Sequence, residues 1–277
     1  MQLNIHEEIN MRKIVVLLLL LSQPFSQLVA KEIERYQMPR TQVVPINDSK
    51  LDRQYELYIK LPQDYGKNTE VKYPVIYTTD AVWQIELLSG VTEFLMPKVI
   101  LVGISWQKDM DENIDYGELR EFASRFRDYN IIQSTNAEHQ AKYKFGQASH
   151  HLDFVRNDVI KYVEKHYRVD PKQRSYIGYS LGGHFGAYTL IAKPNTFKNY
   201  ILGSPAFSER SIKYIDELEG KTAPKQANLK ANVFVSLGGL ETSEADLTNR
   251  LVSILKRRTQ SGLSLTGLEI IQDSDHS

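Results

Sequence analysis

The chain of 277 residues has no cysteine, which excludes disulfides, thiolate zinc sites, iron–sulfur clusters and a cysteine nucleophile. It also has no excess of either charge, because 34 Lys and Arg residues balance 34 Asp and Glu residues. A neutral chain offers no broad electrostatic attraction to nucleic acid or anionic lipid, so we expect neither as a partner. No metal-ligand spacing is visible, and we predict an activity that needs no metal or other cofactor. The sequence specifies no oligomeric state.

Long apolar runs are also missing, since Ile14–Leu21 is much shorter than the roughly 18 residues that a bilayer-spanning helix needs. We therefore expect no stable membrane span. The run follows the basic Met11-Arg12-Lys13 and precedes Pro24 and Ala30, an order typical of a secretory signal peptide. Residues 1–30 are predicted to be an N-terminal extension and signal peptide that starts at Met11 and is cleaved after Ala30. This predicts a periplasmic or secreted protein; the alternative is a buried N-terminal helix or strand.

Residues 31–277 contain no linker, repeat or low-complexity segment and are predicted to form a single domain. Short apolar runs alternate with helical patterns, which predicts an α/β fold with a doubly wound, mostly parallel sheet. The predicted strands are Gln54–Leu61, Pro74–Thr78, Val99–Ile104, Ser175–Gly178, Tyr200–Gly203, Asn232–Leu237 and Leu268–Ile271. The predicted helices are Ile85–Leu95, His151–Tyr167, Leu181–Ala192 and Ser243–Arg258.

A segment at about residues 107–147 interrupts this alternation. It is rich in charged residues with aromatic residues between them, and it is long for a connection between two sheet elements. Such a segment is typical of a functional insertion or lid. The alternative is a solvated loop that covers the end of the sheet.

The strongest local motif is Gly178-Tyr179-Ser180-Leu181-Gly182, a G-x-S-x-G pattern between a predicted strand and a predicted helix. A serine on a sharp strand-to-helix turn exposes its hydroxyl at the carboxyl end of the sheet, where it can act as a nucleophile. A side chain at either glycine is expected to strike neighbouring backbone. The helix that follows directs backbone N–H groups at a developing oxyanion, and the first of these belongs to Leu181.

With this motif in place, the chain resembles the α/β-hydrolase superfamily. Within it, the chain resembles the esterase family that includes esterase D-like enzymes and enterobactin-type siderophore esterases. The similar segments are Pro74–Asp80, Val99–Ser105, Arg127-Asp128-Tyr129 and Tyr176–Gly183, within a similarity over roughly residues 40–277. The resemblance implies a single-domain α/β-hydrolase fold and a serine hydrolase activity.

Two departures from the family pattern affect the expectations. Ala81 stands where the family usually has glycine after the aspartate that closes the third strand, at the place of the second oxyanion donor. That donor is therefore assigned to Ala81 or Val82. The family also continues past its catalytic histidine into a last helix, whereas this sequence stops at Ser277. We accordingly expect a truncated form without that helix, with its final strand uncovered and with impaired folding and catalysis.

Seven histidines are candidates for the general base. The superfamily's chain order of serine, acid and histidine favours His276, which follows the last predicted strand; the alternative for His276 is a frayed terminal residue. The acid is expected after the strand Asn232–Leu237, where Glu241 is the first candidate and Glu244 and Asp246 are alternatives. A Ser–His pair without an acid is a further alternative.

The sequence therefore predicts a serine esterase in which Ser180 attacks an ester carbonyl, His276 is the base and Glu241 orients it. The expected partner is a small-molecule ester, and the resemblance implies siderophore trilactones or other small esters. Candidate substrate-binding residues are Tyr179, Trp83 and Arg127. The further candidates in the insertion are Tyr116, Arg120, Phe122, Arg125, Phe126, Tyr129 and Tyr143. The alternatives are a hydrolase-fold binding protein without turnover, and a peptidase or acyltransferase that uses the same triad.

Overall fold

The computed structural model describes residues 36–67, 69–226 and 228–276. All elements below belong to the compact unit Met38–Ser277. The predicted signal peptide at residues 1–30 lies outside the described residues. In the described part of the chain, no helix is long and apolar enough to cross a membrane.

One sheet of eight strands forms the centre of the molecule. In chain order the strands are β1 (Thr41–Asp48), β2 (Arg53–Lys60), β3 (Tyr73–Thr78), β4 (Ile100–Ile104), β5 (Val169–Tyr179), β6 (Asn199–Gly203), β7 (Asn232–Gly238) and β8 (Ser264–Ile271). Their order across the sheet is β1-β2-β4-β3-β5-β6-β7-β8. Strand β2 pairs antiparallel with β1 and β4, and every pair from β4 to β8 is parallel. The predicted α/β fold with a mostly parallel sheet is therefore confirmed.

Helices cover this sheet and connect its strands. They are α1 (Ala81–Leu95), α2 (Ser124–Asp128), α3 (Ala137–Tyr143), α4 (Ala148–Phe154), α5 (Ile160–His166), α6 (Leu181–Ala192), α7 (Glu209–Thr222) and α8 (Ala245–Lys256). A π-helical turn at Val155–Val159 joins α4 to α5 into one helical run, and short 3₁₀ turns lie at Gly117–Phe122, Ala223–Lys225 and Thr259–Ser261. All five residues of β4 are buried, as expected for a parallel strand covered on both faces.

The short helices α2 and α3 lie in the insertion, where no helix is predicted. Outside the insertion, two further elements are absent from the sequence expectations. Strand β1 contains Pro45, which removes a backbone donor, but β1 lies at the edge of the sheet, where proline is tolerated. Helix α7 begins at a capping box between Ser208 and Ser211 and buries Ile212 and Ile215 on one face. Neither element has a sequence pattern as distinct as the continuous apolar runs of the central strands.

A buried ion pair and a buried hydrogen bond join the insertion at residues 107–147 to the sheet. Arg125 pairs with Asp80 at the end of β3, with Nε to Oδ1 at 3.0 Å. Arg127 pairs with Asp128, which also accepts a hydrogen bond from the hydroxyl of Tyr55 on β2. These charged residues are buried, so this part of the insertion packs into the protein.

Helix α1 has an unusual distribution of side chains. Its buried positions are small or moderate in size, namely Ala81, Ile85, Ser89 and Thr92. Its exposed positions include the large apolar residues Val82, Trp83, Leu87, Val91, Phe94 and Leu95. The helix therefore contacts the sheet through its smaller side chains and presents its larger ones to the surface.

The described chain continues beyond β8 only as residues 272–276. Ile270 and Ile271 on this edge strand are exposed. The segment after the strand is attached to the body of the protein, because the N–H of Leu240 donates to the carbonyl of Ser274 at 2.9 Å.

Candidate active site

Ser180 lies on a strained turn between β5 and α6. Its backbone has φ 57° and ψ −120°, a conformation that a residue with a side chain rarely adopts. A Cβ atom at position 178 would lie 2.3 Å from the carbonyl oxygen of Gly182, and one at position 182 would lie 2.6 Å from Thr79 Oγ1. Both glycines are thus required by space, although the obstacle at position 182 is a side-chain oxygen and not the expected backbone.

A chain of two hydrogen bonds joins three of the predicted residues. His276 Nε2 lies 2.9 Å from Ser180 Oγ, and His276 Nδ1 lies 2.5 Å from Glu241 Oε2. The three residues follow β5, β7 and β8, whose parallel alignment places their carboxyl ends at one edge of the sheet. One imidazole therefore bridges a hydroxyl and a carboxylate.

Glu241 is held firmly in place, with only 5% of its surface exposed. Its Oε1 accepts hydrogen bonds from Ser204 Oγ at 2.5 Å and from the N–H of Gly238 at 2.8 Å. Burial alone would raise the pKa of Glu241, but the hydrogen bonds from Ser204, His276 and the Gly238 N–H outweigh it and lower the pKa. Glu241 is therefore a buried, ionised carboxylate aimed at the imidazole.

The two alternative acids are placed elsewhere. Glu244 is the residue before α8 and accepts a hydrogen bond from its neighbour Ser243. Asp246 is exposed in the first turn of that helix. Acidic residues at this position stabilise a helix N-terminus and need no other role.

Tyr179 lies beside the imidazole, as its place next to Ser180 in the sequence suggests. Its hydroxyl donates to the backbone carbonyl of His276 at 3.0 Å, and the two ring centroids are 5.3 Å apart. Burial raises the pKa of the Tyr179 hydroxyl, so it stays a neutral donor. Together with the Leu240–Ser274 bond, this contact fixes the segment that carries His276.

Backbone N–H groups from two helices are available at this edge of the sheet. Leu181 is the first residue of α6, and Ala81 and Val82 are the first two of α1, so their N–H groups have no partner within the helix. The next two N–H groups of α1, from Trp83 and Gln84, both donate to the carbonyl of Asp80. Among the described residues, no backbone carbonyl accepts a hydrogen bond from the N–H of Leu181, Ala81 or Val82.

The remaining candidate residues have different environments. Trp83 is 46% exposed and packs against Trp106 and Phe122, with the Arg125 guanidinium 4.9 Å from its ring. Arg127, in contrast, is buried and donates to Asp128, Tyr55 and Gln107. The structure brings Trp83 to the surface near the start of α1 and gives Arg127 internal partners, and substrate binding by either residue stays a prediction.

Three other histidines have structural contacts. His184 is buried one turn into α6, and its Nδ1 lies 2.9 Å from the carbonyl oxygen of Ala206. Burial lowers the pKa of His184 to about 4, partly offset by this hydrogen bond. His166 contacts the carbonyl of Tyr162 at the end of α5, and His151 is buried among aromatic rings.

Two contributors to the site are missing from the sequence expectations. Ser204, with φ 40°, follows β6 and donates to Glu241 from 37 residues away, so no local pattern reveals it. Asp80 closes the resemblance segment Pro74–Asp80, but its buried ion pair with Arg125 has no sequence signal. Within the described residues, no group of three or more His, Asp or Glu residues could hold a metal ion.

Comparisons with known proteins identify relatives of this chain among esterases. Residues 49–231 match the model of a family described as Putative esterase. The chain is 25% identical over 218 residues to the ferri-bacillibactin esterase BesA of Bacillus subtilis, which covers 74% of this chain and 72% of BesA. It is also 27% identical over 224 residues to the uncharacterized protein YbbA of the same organism, over 77% of this chain and 78% of YbbA.

Solved structures share the fold at lower identity. The BES protein from Bacillus cereus superposes with a TM-score of 0.74 at 21% identity, over 88% of this chain and 93% of that one. The siderophore hydrolase EstB from Aspergillus nidulans gives a TM-score of 0.68 at 18% identity, over 88% and 92% of the two chains.

The burial of His184 predicts a pH dependence of stability. Its pKa is about 4 in the folded protein and ~6.5 when unfolded, so the unfolded state takes up the proton first as the pH falls. Above pH ~6.5 His184 is neutral in both states and the protein keeps its full stability. As the pH falls towards 4, protonation of the unfolded state lowers the free energy of unfolding, by ~2 kcal/mol between pH 7 and 5. We expect His184→Asn, which keeps a donor but does not titrate, to flatten the dependence by about this amount.

Urea unfolding at a series of pH values measures this effect, and His150→Asn at an exposed position is the control. Equal slopes for the wild type and for His184→Asn would contradict the prediction.

Proposed function

Because the chain belongs to the Putative esterase family and is a carboxylic ester hydrolase, we propose that it cleaves its substrate through Ser180, His276 and Glu241. Its fold is the α/β-hydrolase fold that the resemblance implies. The single observation that carries the proposal is the hydrogen-bond chain from Ser180 Oγ through the imidazole of His276 to the buried carboxylate of Glu241.

In the proposed mechanism, His276 Nε2 accepts the proton of Ser180 as Oγ attacks the ester carbonyl carbon. The carbonyl oxygen becomes an oxyanion that accepts hydrogen bonds from the N–H of Leu181 and from Ala81 or Val82. The protonated His276 then donates its proton to the leaving alcohol, which leaves an acyl group on Ser180. Water, deprotonated by His276, hydrolyses this acyl-enzyme and restores the serine.

Glu241 stabilises the imidazolium that forms in both steps. It accepts a hydrogen bond from Nδ1, which fixes the tautomer in which Nε2 is the base. The buried environment strengthens this interaction because little water screens it. The low pKa of Glu241 supports the role, since the carboxylate stays charged while the imidazole gains and loses its proton.

The proposed substrates are small esters, with siderophore esters as the first class to examine. BesA, a curated relative, is a ferri-bacillibactin esterase, and this relation supports the choice. The half-exposed ring of Trp83 is a suitable surface for an aromatic acyl group near the start of α1. A panel of activated acyl esters alongside a ferric catecholate trilactone tests this, and turnover of the activated esters alone would remove siderophores from the proposal.

We also propose that the protein is exported, on the signal-peptide pattern of residues 1–30. N-terminal sequencing of protein recovered from the periplasm or medium is expected to begin at Lys31. An intact Met1 or Met11 on cytoplasmic protein would refute export.

Ser180→Ala is expected to reduce turnover by ~10⁴-fold or more, as loss of a triad member does in other serine hydrolases. The fold is expected to persist because the change removes only one half-buried hydroxyl. Steady-state hydrolysis of an activated ester measures the effect, and a fluorophosphonate label should modify the wild type once and the variant not at all. A variant that keeps a tenth of wild-type turnover would show that Ser180 is not the nucleophile.

Glu241→Gln is expected to slow turnover by about 10³–10⁴-fold because a neutral amide no longer stabilises the imidazolium. Glu244→Gln and Asp246→Asn are the matched controls and should stay within threefold, roughly, of the wild type, since both residues act only at the start of α8. Small and equal effects from all three changes would support a Ser–His pair without an acid.

A further inference from the structure

The turn between β3 and α1 contains Asp80, whose carboxylate makes no capping hydrogen bond to α1. Asp80 is the residue before α1, where an aspartate side chain ordinarily accepts a hydrogen bond from the first turn of the helix. Here no such bond is present, and the backbone takes the left-handed values φ 54° and ψ 44°. The side chain instead turns inward and is almost fully buried.

Three donors from outside the turn hold this carboxylate. Trp106 Nε1 donates to Oδ1 at 2.6 Å, Arg125 Nε donates to Oδ1 at 3.0 Å and Arg125 Nη2 donates to Oδ2 at 3.0 Å. The backbone N–H of Asp80 donates to the hydroxyl of Tyr129 at 3.3 Å. Arg125 and Tyr129 both belong to the insertion, which therefore fixes both the backbone and the side chain of Asp80.

The same turn faces the elbow that carries Ser180. A Cβ atom built on Gly182 would lie 2.6 Å from Thr79 Oγ1 and 3.5 Å from Asp80 Oδ2, so the two turns touch. The carbonyl of Asp80 already accepts from Trp83 and Gln84. The N–H groups of Ala81 and Val82, which directly follow Asp80, have no backbone acceptor among the described residues.

We propose that Asp80 and Arg125 form a positioning pair that aims the N–H groups of Ala81 and Val82 at the oxyanion. The inference rests on the proposed esterase mechanism and adds to it a specific role for the insertion. An oxyanion donor acts on charge that exists only in the transition state. Loss of the pair should therefore lower kcat while leaving substrate binding almost unchanged.

The test is the double variant Asp80→Asn/Arg125→Gln. It removes both charges together, so that neither is left buried without a partner. Asparagine also tolerates the left-handed backbone, which separates the ion pair from the backbone preference. We expect kcat per active site, counted by fluorophosphonate titration, to fall by about 10²-fold, and KM to change by less than about threefold.

A second measurement isolates the oxyanion. A trifluoromethyl ketone analogue binds as a tetrahedral adduct with a negative oxygen, so its inhibition constant should rise by about the same factor as kcat falls. Arg125→Lys keeps the charge but loses the paired donation of the guanidinium. This variant should recover part of the lost kcat, which a purely structural role would not predict.

The matched control is Lys60→Gln/Glu93→Gln. Lys60 Nζ lies 2.9 Å from Glu93 Oε2 and so forms an ion pair between β2 and the opposite end of α1. This change should leave kcat and the inhibition constant within about threefold of the wild type.

The outcomes separate this inference from the proposed function. If Ser180→Ala abolishes turnover while Asp80→Asn/Arg125→Gln keeps kcat within threefold of the wild type, the positioning role is wrong and the mechanism stands. A rise in KM with unchanged kcat would also overturn it, because the pair would then act on substrate binding. Activity retained by Ser180→Ala would refute the proposed function itself.

Discussion

The rest of the site depends on the strained backbone of Ser180. A residue outside the common φ/ψ regions costs of order 1–3 kcal/mol and persists only where its surroundings enforce it. The surroundings here are specific: the N–H of Ser180 donates to the carbonyl of Gly203 on β6, and its carbonyl accepts from Ala206 and His184. Gly178 and Gly182 leave the space that the turn needs. The central sheet and the first turn of α6 thus hold the hydroxyl at the surface.

The buried carboxylates around this turn differ in whether an arginine neutralises them. Asp80 and Asp128 are each neutralised by an arginine from the insertion, Arg125 and Arg127. Glu241 is buried to a similar degree, but its hydrogen bonds come from a hydroxyl, a backbone N–H and His276. Among these three carboxylates, Glu241 therefore keeps a negative charge without a permanent cation beside it. In the proposed mechanism, this charge stabilises the imidazolium that forms while Ser180 Oγ attacks the ester.

The sequence predicts the parallel strands and the elbow because burial on both faces leaves continuous apolar runs, and the turn leaves a fixed pattern of glycines. It does not predict β1, whose Pro45 is tolerated only because the strand lies at an edge, or α7, which buries a narrow stripe. The residues that contact the site from distant parts of the chain are harder to predict. Ser204 reaches Glu241, and Arg125 reaches Asp80, across 37 and 45 residues of chain, so only the folded sheet brings each pair together.

The inverted side-chain distribution of α1 has a consequence for how freely its sequence can vary. Hydrophobic stabilisation comes from apolar surface that is removed from water on folding, and Leu87, Phe94 and Leu95 keep most of theirs in contact with solvent. Exchanging these three for polar residues should therefore sacrifice little burial energy, while shortening Ile85 on the opposite side would leave a void against the sheet. The outer face of α1 is thus a place where solubility can be engineered separately from the fold.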